Sequence, residues 1–123
     1  PPLLNSVDLF VMPSHAELQS IATLEAMASG LPILAANARA LPELVKADVN
    51  GWLFTAGDIA NAADILALSL AHRRRWPTMG TASRQIAKSH AHEKSVAQYV
   101  HWYQQAAYGY RTNLATEELA MAH

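Results

Sequence analysis

The 123-residue chain contains no cysteine, which excludes disulfides and thiol chemistry and is compatible with a cytoplasmic location. It also has almost no net charge, a formal −1 at pH 7, so it lacks the polyelectrolyte character expected of a nucleic-acid partner. No apolar run approaches the length that spans a bilayer, and no signal-peptide pattern stands at Pro1. Internal repeats and low-complexity tracts are missing too. What is there is a chain 51% hydrophobic, enough for one domain with a real core and too short for two.

The informative stretch runs from Asp8 to Ala36. Leu9-Phe10-Val11-Met12 is a short apolar run bounded by Asp8 and Pro13, the pattern of a strand buried on both faces of a parallel sheet. Ile33 to Ala36 reads the same way. Between them Ile21, Leu24, Met27, Ala28 and Leu31 recur at helical spacing, with Ser20 as N-cap, Gly30 at the stop and Pro32 beyond. The stretch therefore predicts a βαβ unit. In open parallel sheets, ligands bind where a strand hands over to a helix, because unpaired N–H groups and the helix dipole converge there. Here an anion would sit on the amides near Ser20, Ile21 and Ala22. Glu17 before the helix and Glu25 one turn into it flank that place. Carboxylates are poor partners for phosphate and good double acceptors for vicinal hydroxyls. The pattern suits a ligand with phosphate in the middle and hydroxylated rings on either side.

The run Asp8-Leu-Phe-Val-Met-Pro-Ser14, the E-x7-E pair Glu17 and Glu25, and Glu25-Ala-Met-Ala-Ser-Gly-Leu-Pro32 together resemble the donor-binding signature of retaining GT-B glycosyltransferases, specifically glycosyltransferase family 4 (group 1). Asn50-Gly51-x-Leu53-Phe54 and Gly57-Asp58 fall where that family has similar residues, and the resemblance covers about residues 6–106. It implies a partial Rossmann-like α/β fold, the C-terminal lobe of a GT-B enzyme. It also implies metal-independent transfer of a sugar from a nucleotide-sugar to an acceptor hydroxyl with retention, no cofactor being needed. By position, Glu25 would bind the ribose, Glu17 the transferred sugar at the catalytic centre, and Leu18, Gln19, Ser20 and Ile21 the diphosphate. The family usually places glycines after its first Glu, where this chain has Leu18-Gln19-Ser20, a difference that bears on donor geometry or identity. It commonly has two glycines in the loop that here reads Asn37-Ala38-Arg39-Ala40-Leu41. Arg39 is open to two readings, a phosphate contact or a solvated loop cation. His15 is likewise either a ligand contact or an ordinary loop histidine.

The remaining chain predicts about three parallel strands followed by several helices. Leu41 to Val45 suggests a short helix with Pro42 in its first turn, and Asp48 to Gly51 a turn into a third strand, Trp52 to Phe54. Asp58 can cap a helix with Ala62, Ile65, Leu66, Ser69 and Leu70 inward, ending near His72. Arg73-Arg74-Arg75 follows, a basic triplet read as offsetting the helix dipole in water. Trp76-Pro77 and Gly80 interrupt the pattern, with another helix over Thr81 to Ser89. A last helix from Glu93 to Ala107 carries Val96, Tyr99, Val100, Tyr103 and Ala107 on one stripe, expected to be mostly core. His90-x-His92 with Glu93 has poor metal-ligand geometry, since alternate helical residues diverge, so no metal site is expected.

A complete doubly wound domain has about five or six strands, and the chain opens at Pro1-Pro2 without a starting Met. The expected organisation is therefore residues 1–109 as the C-terminal part of a nucleotide-sugar-binding lobe, 110–123 as a tail or extra helix, and an acceptor domain outside the chain. Such a fragment is expected to be inactive alone. An unpaired sheet edge would favour dimers, and peripheral membrane contact by the parent is left open. Two other functions compete: a sugar-phosphate enzyme of the same fold, such as an epimerase, and a non-catalytic scaffold whose 18–20 loop has lost donor binding. Donor base, sugar and acceptor are not legible.

Overall fold

The computed structural model describes residues 2–90 and 96–108, and the chain divides into two units, Pro1–Ser89 and His90–His123. In the first, strands β1 (Phe10–Met12), β2 (Ile33–Ala36) and β3 (Gly51–Phe54) form a parallel sheet in the order β1-β2-β3. Phe10 pairs with Ile33 and Leu34 with Trp52, so alternation places Val11, Leu34 and Trp52 on one face and Phe10, Ile33 and Gly51 on the other. The three strands match the three expected runs. Their burial differs from expectation at one. β2 is buried at every residue because it is central, whereas β1 is an edge strand and Val11 is 46% exposed.

Helix α1 (Ile21–Ala28) joins β1 to β2, and buries Thr23, Ala26 and Met27. The short α2 (Leu41–Leu44) buries Leu41 and Leu44 and begins with Pro42 in its first turn. Asn50 is fully buried in the turn before β3. Its carboxamide accepts from the Lys46 amide at 2.7 Å and donates to the Leu44 carbonyl at 3.1 Å, so the turn is closed by a side chain as well as by backbone. Helix α3 (Ile59–Ala71) starts at Asp58, whose carboxylate accepts from the Asn61 amide at 2.9 Å; the Asn61 side chain in turn accepts from the Thr55 amide at 2.7 Å. Only part of the predicted inward stripe is covered. Ser69 is buried and Ala62 and Ile65 are half-buried, but Leu66 and Leu70 are exposed, because α3 lies over the edge strand β3 and presents only one flank to it.

Two further expectations are corrected. Helix α4 runs from Trp76 to Ser89, so Trp76-Pro77 and Gly80 do not interrupt it. A first-turn amide has no intrahelical acceptor, so Pro77 costs little there. Gly80 is the contact point with α1: a Cβ at 80 would collide with the Gly30 carbonyl oxygen. The glycine lets two helices approach backbone to backbone, with Met27 and Met79 buried in the same core cluster. The arginine triplet is an exposed 3-10 turn, with Arg73 on Asp8 at 3.2 Å and Arg75 on Asp48 at 3.1 Å.

In the second unit, residues 96–108 are helical and exposed throughout. Val96, Tyr99, Val100 and Tyr103 are therefore not core. Among the described residues of this unit the helix has no second apolar layer to bury a stripe against, and Tyr99 meets Trp102 edge-on with ring centroids 5.6 Å apart. The predicted start of this helix at Glu93, the His92 and Glu93 partners of His90, and the 110–123 tail lie outside the described residues. Among the described residues no helix is long and apolar enough to cross a membrane, and no group of three His, Cys, Asp or Glu could hold a metal ion.

Candidate functional site

The site predicted from sequence lies at the carboxyl ends of β1 and β2. After Met12 the chain leaves the sheet through residues 13–20 and enters α1 at Ile21. Ser20 occupies the N-cap position, but its side chain does not cap. Its hydroxyl is paired at 2.8 Å with that of Thr23, and both residues are buried. Thr23 is held inside by the packing of α1 and its hydroxyl needs a partner there; Ser20 supplies one instead of accepting from a first-turn amide. The first amide to bond back into the helix is that of Leu24, on the Ser20 carbonyl at 3.0 Å. The Ala22 and Thr23 amides thus have the orphan character of a helix start, aligned with the positive end of the dipole, but only Ala22 is exposed; Thr23 is fully buried.

The predicted cradle is changed in one respect. The Ile21 amide donates to the Gln19 carbonyl at 3.1 Å, a tight turn that uses a donor expected to face the ligand. Leu18 and Ile21 project into solvent, 84% and 64% exposed, and Gln19 is exposed as well. Their side chains stand on the open side of the loop.

Glu25 is exposed and shares the outer face of α1 with Ile21, Ala22 and Ala28. Helical side chains tilt toward the helix N-terminus, which leans this carboxylate back over the first turn and the residue 17–20 loop. Glu17 is half-buried in that loop, and its carbonyl accepts from the Ala40 amide at 3.2 Å. That bond ties the loop leaving β1 to the 37–40 loop leaving β2. Arg39 stands beside it, exposed, with its backbone at φ 51°. Glu17, Arg39, the α1 first turn and Glu25 therefore share one end of the sheet.

His15 is placed differently. It lines an apolar cavity of about 540 Å³ with Val11, Leu34, Phe54 and the start of α3 near Gly57, and neither glutamate lines that cavity. A second cleft, about 410 Å³, lies at the other end of the strands between Asp8, Pro32 and Arg73. Neither glutamate lines either of these two cavities; Glu25 is exposed and Glu17 half-buried.

The Thr23 partner of Ser20 and the Ala40–Glu17 tie were not among the sequence-predicted features. Positions 20 and 23 have the i, i+3 spacing of a capping box, but Thr23 stands where that motif has Glu or Gln, so the sequence did not signal a hydroxyl–hydroxyl pair. The tie between loops joins backbone atoms and leaves no signal in residue type.

Comparison with known proteins agrees with this architecture. The sequence profile of the family described as glycosyl transferases group 1 matches residues 1–72. Sulfoquinovosyl transferase SQD2 of Arabidopsis thaliana is 39% identical over 83 residues, covering 65% of this chain and 16% of that protein. Sucrose-phosphate synthase of Thermosynechococcus elongatus superposes with a TM-score of 0.77 at 24% identity, over 87% of this chain and 27% of that one. Anabaena Alr3699/HepE, solved in complex with UDP, superposes with a TM-score of 0.73 at 28% identity, over 85% of this chain and 29% of that one. The open three-stranded parallel sheet with its helices is the GT-B architecture of these neighbours. The chain spans less than a third of the length of each.

Proposed function

Because the chain belongs to the glycosyl transferases group 1 family, we propose that it forms the donor-binding end of an enzyme that transfers a sugar from a nucleotide-sugar to an acceptor hydroxyl. The donor is a uridine diphosphate sugar, and transfer proceeds with retention of anomeric configuration, without a metal or other cofactor. The observation that carries the reading is the handover from β1 to α1. An exposed first-turn amide without a side-chain cap, that of Ala22, lies between a carboxylate on the loop and a carboxylate on the helix. HepE binds UDP and, in a further crystal structure, UDP-glucose, which supports uridine diphosphate as the chemistry such an end accommodates.

In this proposal Glu25 accepts hydrogen bonds from the ribose hydroxyls and Glu17 from the transferred sugar. The diphosphate lies over the residue 18–21 backbone and the exposed Ala22 amide. As the sugar–phosphate bond breaks, negative charge accumulates on the departing diphosphate oxygen. Fixed amides and a helix dipole stabilise that charge without reorganising. A half-buried Glu17 has less freedom than a fully exposed one, so it can hold the sugar in one orientation while the bond breaks.

Titration of UDP and UDP-glucose into the chain, followed by amide chemical shifts and calorimetry, tests the reading. Saturable binding with shifts at Ala22 is expected, weakened roughly ten- to hundredfold by Glu25→Ala, since hydrogen bonds to a charged group contribute about 1.5–3 kcal/mol. Absence of saturable binding, or unchanged affinity in Glu25→Ala, would overturn it. The former result would favour a scaffold module, a reading to which the engaged Ile21 amide and the side chains at 18–20 lend some weight.

A further inference from the structure

Two described non-glycine residues have backbones in the left-handed region, Arg39 at φ 51° and Asp48 at φ 61°. Such a residue carries about 1–2 kcal/mol of steric cost, which the surroundings must offset. For Asp48 the offset is visible. Arg75 donates to its carboxylate at 3.1 Å and to its carbonyl at 2.7 Å, locking the turn from outside. Arg39 has nothing equivalent. Among the described residues its side chain makes no hydrogen bond or ion pair, a state it shares with Arg74 and Lys88, whereas Arg73, Arg75, Arg84 and Lys46 are each committed to protein acceptors; of the three uncommitted cations only Arg39 is in a loop at the carboxyl end of the strands.

The loop that holds Arg39 is nonetheless fixed. The Ala40 amide bonds the Glu17 carbonyl, and the Asn37 amide bonds the Phe54 carbonyl at 2.7 Å, so the loop is pinned on both sides. The pinning places the Arg39 backbone at the end of the central strand, next to Ala40, whose amide meets the Glu17 carbonyl at 3.2 Å. That end of the sheet holds two carboxylates and has lost the Ile21 amide to an internal turn. An anion there meets two repelling side chains and a reduced set of donors.

We infer that Arg39 is a diphosphate-binding residue of this site, contributing the positive charge that the backbone of the 18–21 loop does not. The inference rests on the nucleotide-sugar reading above and adds a particular contact to it. A guanidinium matches two phosphate oxygens with parallel N–H donors, and such a charge-assisted bidentate pair is stronger than a neutral amide contact.

The test compares UDP with uridine on the full chain, using the native sequence, Arg39→Ala, Arg39→Gly and Glu25→Ala. Glycine is included because it suits φ 51° and keeps the loop in place while removing the guanidinium. Both Arg39 variants are expected to weaken UDP binding about tenfold, leave uridine-induced shifts unchanged, and flatten the dependence of UDP affinity on ionic strength. Native-like UDP affinity and salt dependence in Arg39→Gly, with affinity lost in Glu25→Ala, would overturn the role of Arg39 and leave the donor reading standing. Equal weakening of uridine and UDP would also overturn it, since the contact would then be to something other than phosphate. No saturable UDP binding to the native chain would sink both.

Discussion

Substitution of Gly80 by alanine sets two physical effects of opposite sign against each other. In an exposed helix the change stabilises by about 1 kcal/mol, because alanine loses less backbone entropy than glycine. At the α1–α4 crossing the added Cβ meets the carbonyl oxygen of Gly30, a backbone atom that cannot swing aside. Ser83, one turn further along α4, is fully buried and reaches the Asn50 carbonyl at 3.4 Å, and Met79 is 1% exposed, so α4 has little room to slide. Overpacking of a well-filled core costs about 1–3 kcal/mol, and a clash with backbone belongs at the upper end. The expected net loss is about 2 kcal/mol, which lowers Tm by roughly 10 °C in a unit of this size. Thermal unfolding followed by circular dichroism measures it, with exposed Thr81→Ala as the control for helix propensity. Since α1 carries Glu25, UDP affinity of the folded variant should also fall. A raised Tm in Gly80→Ala would refute the close approach of the two helices.

The Ser20–Thr23 pair gives a sharper signature than either residue alone. Ser20→Ala and Thr23→Val should each destabilise by about 1–3 kcal/mol by leaving one buried hydroxyl unpartnered, and the double variant should recover part of that loss; strictly additive urea-unfolding energies would contradict the pairing. Asp58→Ala should cost about 1 kcal/mol through loss of the α3 cap, while Asp58→Asn costs less, as read by the same denaturation midpoints.

Much of the fold was legible because its signals are local. The three apolar runs, the Asp58 cap, the Pro42 start of α2 and the turn from Asp48 to Gly51 all reflect short-range rules, and each reappears in the structure. The failures are tertiary. Gly80 reads as a breaker because propensity is a property of an isolated helix, and only the position of the Gly30 carbonyl explains a glycine within α4. Val11 and Leu66 follow the inward pattern and are nevertheless exposed, because which strand is an edge and which flank of a helix is covered depend on neighbours that periodicity does not encode.

The candidate site shows the same division at finer scale. Residue types and spacing placed Glu17 and Glu25 on either side of a helix start, since a strand–loop–helix pattern fixes which end of the sheet the loop occupies. They did not determine which amides remain free. That depends on a hydroxyl choosing another hydroxyl over an amide at Ser20, and on a turn that engages the Ile21 N–H. Both choices act on the same few donors in opposite directions. The first leaves the start of α1 without a side-chain cap, and the second removes one amide from the loop before it. A site built this way leans on the helix start and on nearby side-chain charge more than on loop backbone. On the proposed donor-binding reading, this accounts physically for Leu18-Gln19-Ser20 in the loop: when the strongest donor lies one residue into the helix, close approach of the preceding backbone matters less, and the exposed side chains at 18 and 19 leave a phosphate there unobstructed.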